Sequence, residues 1–256
     1  MKKREKLSKK MRSRVTRFFT PKWKKEIYPT AHKEINLTQQ ERAALARNIR
    51  KTRTLDRKHA RSGILENKPV FYSVSRNLNQ VSSLHRLDVA GVLNYLIELY
   101  KKKSADVLDI GCGEGKALAE LKKSAKAKIR TYGLALTRLG EQSKNIDKII
   151  IGAAETKKLP EKRFLLVYSA ESIFFDQLPL QSIERIINSL ETGGVIITQM
   201  APSRAIEEKL KNLEKENKIE YSITKIRRPS QHILGPPIEI NTLIITRKTE
   251  KPISFS

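Results

Sequence analysis

Residues 107–115 read Val-Leu-Asp-Ile-Gly-Cys-Gly-Glu-Gly, and within this short stretch the pattern passes from strand to turn to helix. Val107, Leu108 and Ile110 form an apolar run suited to a strand buried on both faces. Gly111, Gly113 and Gly115 then allow a sharp turn that a ligand can approach without meeting a Cβ. From Lys116 the spacing of Ala117, Leu118 and Leu121 is helical, so the N–H groups of a helix start face the same crevice. A dinucleotide fingerprint needs its third glycine at position 116, where this chain has Lys116. The turn is a cofactor-binding turn, and not one of the nicotinamide type.

Strand and helix patterns alternate on either side of it. Upstream, Val89, Leu93, Leu96, Ile97 and Tyr100 recur at helical spacing, with Lys101, Lys102 and Lys103 at the end where cations suit the helix dipole. His85 and Arg86 precede this helix, either as surface residues or within reach of a cofactor carboxylate. Downstream, strands are expected at residues 129–136, 148–151, 164–169 and 194–200. Helices are expected around Ile183, Ile186, Ile187 and Leu190, and around Ile206, Leu210 and Leu213. Two final strands, one with Tyr221, Ile223 and Ile226 and one with Ile238, Ile240 and the run 243–245, have no helix between them and imply a terminal antiparallel hairpin. The pattern is that of a doubly wound α/β sheet, which binds ligands at the carboxyl ends of its strands.

The charge is unevenly spread. The chain has 256 residues with 52 Lys and Arg against 27 Asp and Glu, net +25. Residues 1–66 hold 21 of the basic and 6 of the acidic residues, so +15 of that excess precedes the glycine turn. Residues 1–36 interleave Val15, Phe18, Phe19, Trp23 and Tyr28 with Lys and Arg, too few apolar groups to close a core alone and a composition suited to stacking on bases while cations meet phosphates. Thr38-Gln39-Gln40-Glu41 is a capping box that predicts a helix running towards Gly63 and carrying Arg42, Arg47, Arg50, Lys51, Arg53, Arg57, Lys58 and Arg61. A positive rod of that kind lends salt-dependent affinity for RNA or another polyanion through residues 1–62; the bland alternative is a solvated basic tail. The organisation expected is thus a basic helical N-terminal extension over 1–66, a polar connecting segment over 67–84 and an α/β domain over 85–256. A single cysteine excludes an internal disulfide. No apolar run long enough to span a membrane and no signal-peptide core follow the basic start, so a cytoplasmic protein is expected. No His, Asp and Glu cluster has metal-ligand spacing, and the oligomeric state is not legible.

With Asp109 two residues before the first glycine, the stretch resembles motif I of the class I S-adenosylmethionine-dependent methyltransferases. The resemblance extends over roughly residues 85–247. Gly152-Ala153-Ala154-Glu155 with Leu159-Pro160 is similar to the family's loop after its third strand, Phe164-Leu165-Leu166-Val167 to its fourth strand, and Leu190-Glu191-Thr192-Gly193-Gly194 to the lead into its fifth. It implies a Rossmann-like sheet of seven strands, the last antiparallel, and S-adenosylmethionine as cofactor. It also implies that Asp109, Gly111, Cys112, Gly113 and Gly115 line the methionine and ribose portion, with Ala135 at the ribose and Ala154 and Glu155 at the adenine edge. Ser169, Ala170 and Glu171 would face the transferred methyl, with Glu171 as general base.

The chain departs from the family at two places. Gly133-Leu134-Ala135-Leu136 has no acidic residue where the family usually holds the ribose hydroxyls, and Ala153 replaces the aspartate of the adenine loop. Loss of a charged acceptor costs on the order of 1.5–3 kcal/mol, about ten- to a hundredfold in affinity. Cys112, sunk in the turn, is no nucleophile for C5-pyrimidine methylation. Tyr168-Ser169-Ala170-Glu171 is not the Asn-Pro-Pro-Tyr type that exocyclic-amine methyltransferases resemble. Three readings follow: a methyltransferase acting on RNA or another anionic substrate, a catalytically silent relative serving as a nucleic-acid-binding or interaction module, and a small-molecule methyltransferase.

Overall fold

A computed structural model describes residues 33–35, 71–73, 76–136, 142–170, 178–200, 203–228 and 238–254. The helix predicted from the Thr38 capping box lies outside the described residues. Two short strands, β1 (Lys33–Ile35) and β2 (Phe71–Ser73), pair antiparallel as a ribbon. Seven strands form the main sheet: β3 (Ser104–Ile110), β4 (Lys128–Ala135), β5 (Lys148–Ile151), β6 (Phe164–Tyr168), β7 (Leu190–Met200), β8 (Ile219–Arg228) and β9 (Ile238–Arg247). Their order is β5-β4-β3-β6-β7-β9-β8. The first five in that order run parallel, and β9 is antiparallel to both β7 and β8. This is the Rossmann-like α/β sheet with a terminal hairpin that the sequence implies, and the chain's turn at Gly111 falls at the end of β3, the middle one of the five parallel strands.

The helices are α1 (Leu78–His85), α2 (Val89–Leu99), α3 (Lys116–Ser124), α4 (Gln142–Asn145), α5 (Leu180–Ser189) and α6 (Arg204–Lys215). One apolar layer joins α1, α2 and α3 to the sheet through Leu84, Leu96, Leu118, Leu165 and Ile197. The other joins α5 and α6 to the opposite face through Ile183, Ile187, Leu210, Ile196 and Ile245. Both faces being covered, β6 is buried along its whole length, as its unbroken apolar run demands.

The connecting segment contains a helix that its polar composition conceals. Asn77 accepts from the Gln80 N–H at 2.8 Å while the Gln80 side chain accepts from the Asn77 N–H at 2.9 Å, a reciprocal cap for α1. Leu78, Val81 and Leu84, the only three large apolar residues in its eight, are all buried. So short a helix carries too little periodicity to be seen in sequence. His85 at its end is fully buried, not a surface residue.

A buried arginine fastens the segment after β9. Arg247 is 1% exposed. Its Nη1 donates to the carbonyls of Asn188 (2.8 Å) and Leu190 (2.6 Å), Nε to Thr249 (2.8 Å) and Nη2 to Lys251 (3.1 Å). Asn188 completes the clasp by exchanging hydrogen bonds with the backbone of Ile253, at 2.9 and 2.8 Å. Replacing Arg247 by Ala removes all of these bonds, at a net of about 1 kcal/mol for each part-buried carbonyl and about 1–3 kcal/mol for the buried carbonyl of Leu190. Urea unfolding of Arg247→Ala is expected to show a loss of about 3 kcal/mol, and Arg247→Lys, which lacks the planar fork, to recover little of it.

Candidate functional site

The carboxyl ends of β5, β4, β3 and β6 stand side by side in the sheet, and the residues singled out in sequence fall at those ends. Asp109 is the last but one residue of β3. It is aligned with Gly133 of β4 and Tyr168 of β6. Gly111, Gly113 and Gly115 follow with φ of 81°, 53° and 78°, all left-handed, which is why glycine occupies them. Ala135 ends β4, Ala154 and Glu155 lie in the turn after β5, and Ser169 follows β6. Glu171 lies outside the described residues.

The glycine turn is fixed from behind by α4. Gln142, fully buried, donates from Nε2 to the Gly113 carbonyl at 2.7 Å, and Asn145 donates from Nδ2 to the Glu114 carbonyl at 2.9 Å. The Gly111 N–H donates to the Leu134 carbonyl at 2.7 Å, tying the turn to β4. Packing is equally close. A Cβ on Gly115 would stand 2.5 Å from Ile146 Cγ1, and one on Gly133 would stand 2.5 Å from Cys112 Sγ. Cys112 therefore has a packing role, its thiol buried and pushed up by loss of solvent and by the Asp109 charge. Gln142 and Asn145 were not singled out in sequence; two amide side chains three apart give no motif until the fold brings them under the turn.

The loop after β5 is held by its carbonyls. Ser182 Oγ of α5 donates to the Glu155 carbonyl at 2.7 Å, Arg185 donates to the same oxygen, and Arg185 Nη1 reaches the Thr156 carbonyl at 3.3 Å. Ala153, Ala154 and Glu155 are all buried. At the end of β6, Arg76 Nη1 donates to the Ala170 carbonyl at 3.2 Å, bringing a cation from the connecting segment to the mouth of the crevice. Its position in a polar run gave it no signal in sequence.

Asp109 dominates the electrostatics. Burial pushes its carboxyl up to about 7, against an ordinary 3.8, and the Tyr168 hydroxyl and the Arg76 charge pull it back only in part. Tyr168 is pushed up in turn by its own burial and by Asp109. The backbone turn fits a nucleoside carrying an amino-acid tail. Three left-handed glycines give close approach, and a buried carboxyl sits beneath. The end of β4 fits it less well, for Ala135 brings a methyl group and no carboxylate to accept hydroxyls.

Residues 108–198 match the family model described as a methyltransferase domain. The chain is similar in structure to the plantazolicin methyltransferase BpumL solved with S-adenosylhomocysteine (15% identity, 80% of this chain and 95% of that one, TM-score 0.47). It is also similar to a TehB-like S-adenosylmethionine-dependent methyltransferase from Corynebacterium glutamicum (18%, 65% and 92%, 0.41) and to the YcgJ protein of Bacillus subtilis (13%, 62% and 99%, 0.42). No curated protein matches the chain in sequence. Among the described residues no helix is long and apolar enough to cross a membrane.

The Asp109 carboxyl gives the site a pH signature. The folded state holds this proton more tightly than the unfolded chain, so its contribution is fully present below about pH 4 and is lost as pH rises through 7. Asp109→Asn removes that loss. Measured by urea unfolding from pH 4 to 8.5, the variant is expected to gain on the wild type as pH rises, by on the order of 4 kcal/mol at most. A difference that stays flat with pH would contradict the assignment.

Proposed function

We propose that this chain, whose residues 108–198 match a methyltransferase-domain model, is an active class I S-adenosylmethionine-dependent methyltransferase and that its basic N-terminal region holds RNA or another anionic substrate. The observation that supports it best is the glycine turn, left-handed at three positions and locked by Gln142 and Asn145, directly after a buried acidic residue at the end of β3.

S-adenosylmethionine supplies a methyl group activated by a sulfonium, transferred by in-line displacement when the acceptor is aligned. The chain's share is placement. Asp109 and the turn 111–115, Cys112 included, border the methionine end. Ala135 borders the ribose, and Ala154 and Glu155 the adenine edge. Ser169 and Ala170 form the rim from which the acceptor is presented. Glu171 follows them directly in sequence and is the residue proposed to take the proton from the acceptor.

The second reading, a catalytically silent relative that binds nucleic acid, is favoured by the two missing carboxylates, at Ala135 and at Ala153. Calorimetry separates the two. Wild-type protein is expected to give measurable heat with S-adenosylmethionine, and Ala135→Asp, which restores a carboxylate at the ribose, to tighten binding about ten- to a hundredfold. No heat at millimolar ligand from either protein would eliminate the enzyme reading.

The N-terminal region has its own test. Affinity for total RNA is expected to fall steeply between low and high salt and to drop when residues 1–62 are deleted, with the salt slope reduced in the same step. Unchanged affinity after deletion would remove the role proposed for that region. A tritiated-methyl assay run in parallel on total RNA, total protein and a metabolite extract identifies the acceptor class.

A further inference from the structure

Ser169, Thr198 and Asn241 lie together at the carboxyl end of the sheet with unsatisfied side chains. Their Oγ, Oγ1 and Oδ1 atoms are buried without a hydrogen-bond partner among the described residues, in residues 1%, 1% and 2% exposed. The register places them on one face. The Ser169 N–H donates to the Ile197 carbonyl at 3.0 Å, continuing the β6–β7 ladder, so Ser169 lies beside Thr198, about one strand spacing away. Thr198 is opposite Leu243 and Met200 is opposite Asn241, which makes Thr198 and Asn241 diagonal neighbours about 7–8 Å apart. Ile196, Met200, Leu243 and Ile245 share that face in the apolar layer under α5 and α6, whereas Ile197 and Ile244 face the other way.

Three unpaired polar atoms in an apolar frame are a liability to the fold, since each gives up its hydrogen bonds to water without replacement. Their common position, adjoining the rim of the crevice at Ser169, gives them a use. Two hydroxyls both donate and accept and one amide oxygen accepts, while the flanking residues Val167, Ile196, Met200 and Leu243 bring no charge. Such a surface selects a flat, uncharged group with N–H and C=O on one edge and gives nothing to a phosphate or carboxylate. A chain of net +25 has polyanions as its natural partners, and the uncharged, edge-presenting part of a nucleic acid is its base.

We propose that Ser169, Thr198 and Asn241 form the floor of an acceptor subsite that takes the hydrogen-bonding edge of a nucleobase. The proposal rests on the methyltransferase reading and names the substrate class of that site. The three side chains position the base; none of them reacts.

The test is saturation-transfer NMR on the full chain with free adenine, cytosine and uracil as probes, benzamide as a carboxamide control and inorganic phosphate as an anion control. Calorimetry with S-adenosylhomocysteine runs alongside. At least one base is expected to bind in preference to both controls. Thr198→Val with Asn241→Leu is expected to weaken that binding tenfold or more while S-adenosylhomocysteine binds as before. The single variant Thr198→Val, which removes a hydroxyl that has no partner in the free protein, is expected to unfold at the same urea concentration as wild type or higher. The proposal is overturned if no base binds, if benzamide or phosphate binds better, or if the double variant binds bases as wild type does. It is overturned equally if Thr198→Val destabilises the free protein and leaves base binding intact, the result a trapped structural water would give. S-adenosylhomocysteine heat without base binding sinks this subsite alone; absence of both sinks the methyltransferase reading with it.

Discussion

Two hydrogen bonds from below govern the shape of the crevice. A glycine-rich turn has many backbone conformations open to it, and the entropy of choosing one falls on whatever holds it. Here Gln142 and Asn145 engage consecutive carbonyls, of Gly113 and Glu114, while Leu134 takes the Gly111 N–H. The peptide planes of the turn are thereby set before any ligand arrives, and ordering them is no part of the cost of binding. Everything else about the sheet serves to bring further loops to the same height. β5 delivers the buried turn at Ala154, β4 delivers Ala135 and β6 the rim at Ser169, with β3 and its glycine turn between β4 and β6.

The large periodicities of the chain were readable and the small polar devices were not. The apolar run of β6, the Val107, Leu108 and Ile110 pattern of β3 and the spacing in α2, α5 and α6 each exceed what chance supplies, and from their alternation the sheet and its hairpin follow. The departures have local causes. β7 begins at Leu190, ahead of the glycine pair where a strand was expected to start, because its pairing with β6 shifts register between Phe164 and Leu166 and lets the ladder run on. α1 is hidden because eight residues with three apolar side chains leave no periodic trace; only its Asn77–Gln80 cap writes a signature. Arg76, Gln142 and Asn145 act through contacts to main-chain carbonyls distant in sequence, and a carbonyl leaves no mark on a sequence. The backbone of the candidate site was therefore legible at Asp109 and the glycines. What tunes it was not.

Asp109 illustrates a conflict between stability and chemistry. A carboxyl pushed up to about 7 by burial spends free energy at neutral pH that an asparagine or leucine would not. The opposite end of the same strands shows the ordinary solution, with Asp106 paired to Arg130 at 2.8 Å where solvent reaches the guanidinium. Two aspartates three residues apart on one strand thus follow different rules, and the one that breaks the stability rule is the one beside the turn. Perturbed, desolvated carboxyls cluster where ligands are handled, and the placement of this one agrees with the unpaired polar atoms gathered at the neighbouring strand ends.

The order of strands in space differs from their order in time. β9 lies between β7 and β8, so during synthesis both neighbours emerge before the strand that joins them. Until it arrives, β7 has an open edge bearing Val195, Ile196 and Ile197, a flat apolar edge of the kind that recruits other chains. Insertion of β9 closes that edge along the run from Val195 to Met200, and the Arg247 clasp comes last. The nascent protein therefore passes through an interval in which this apolar edge waits for β9, and chaperone demand should concentrate in that interval.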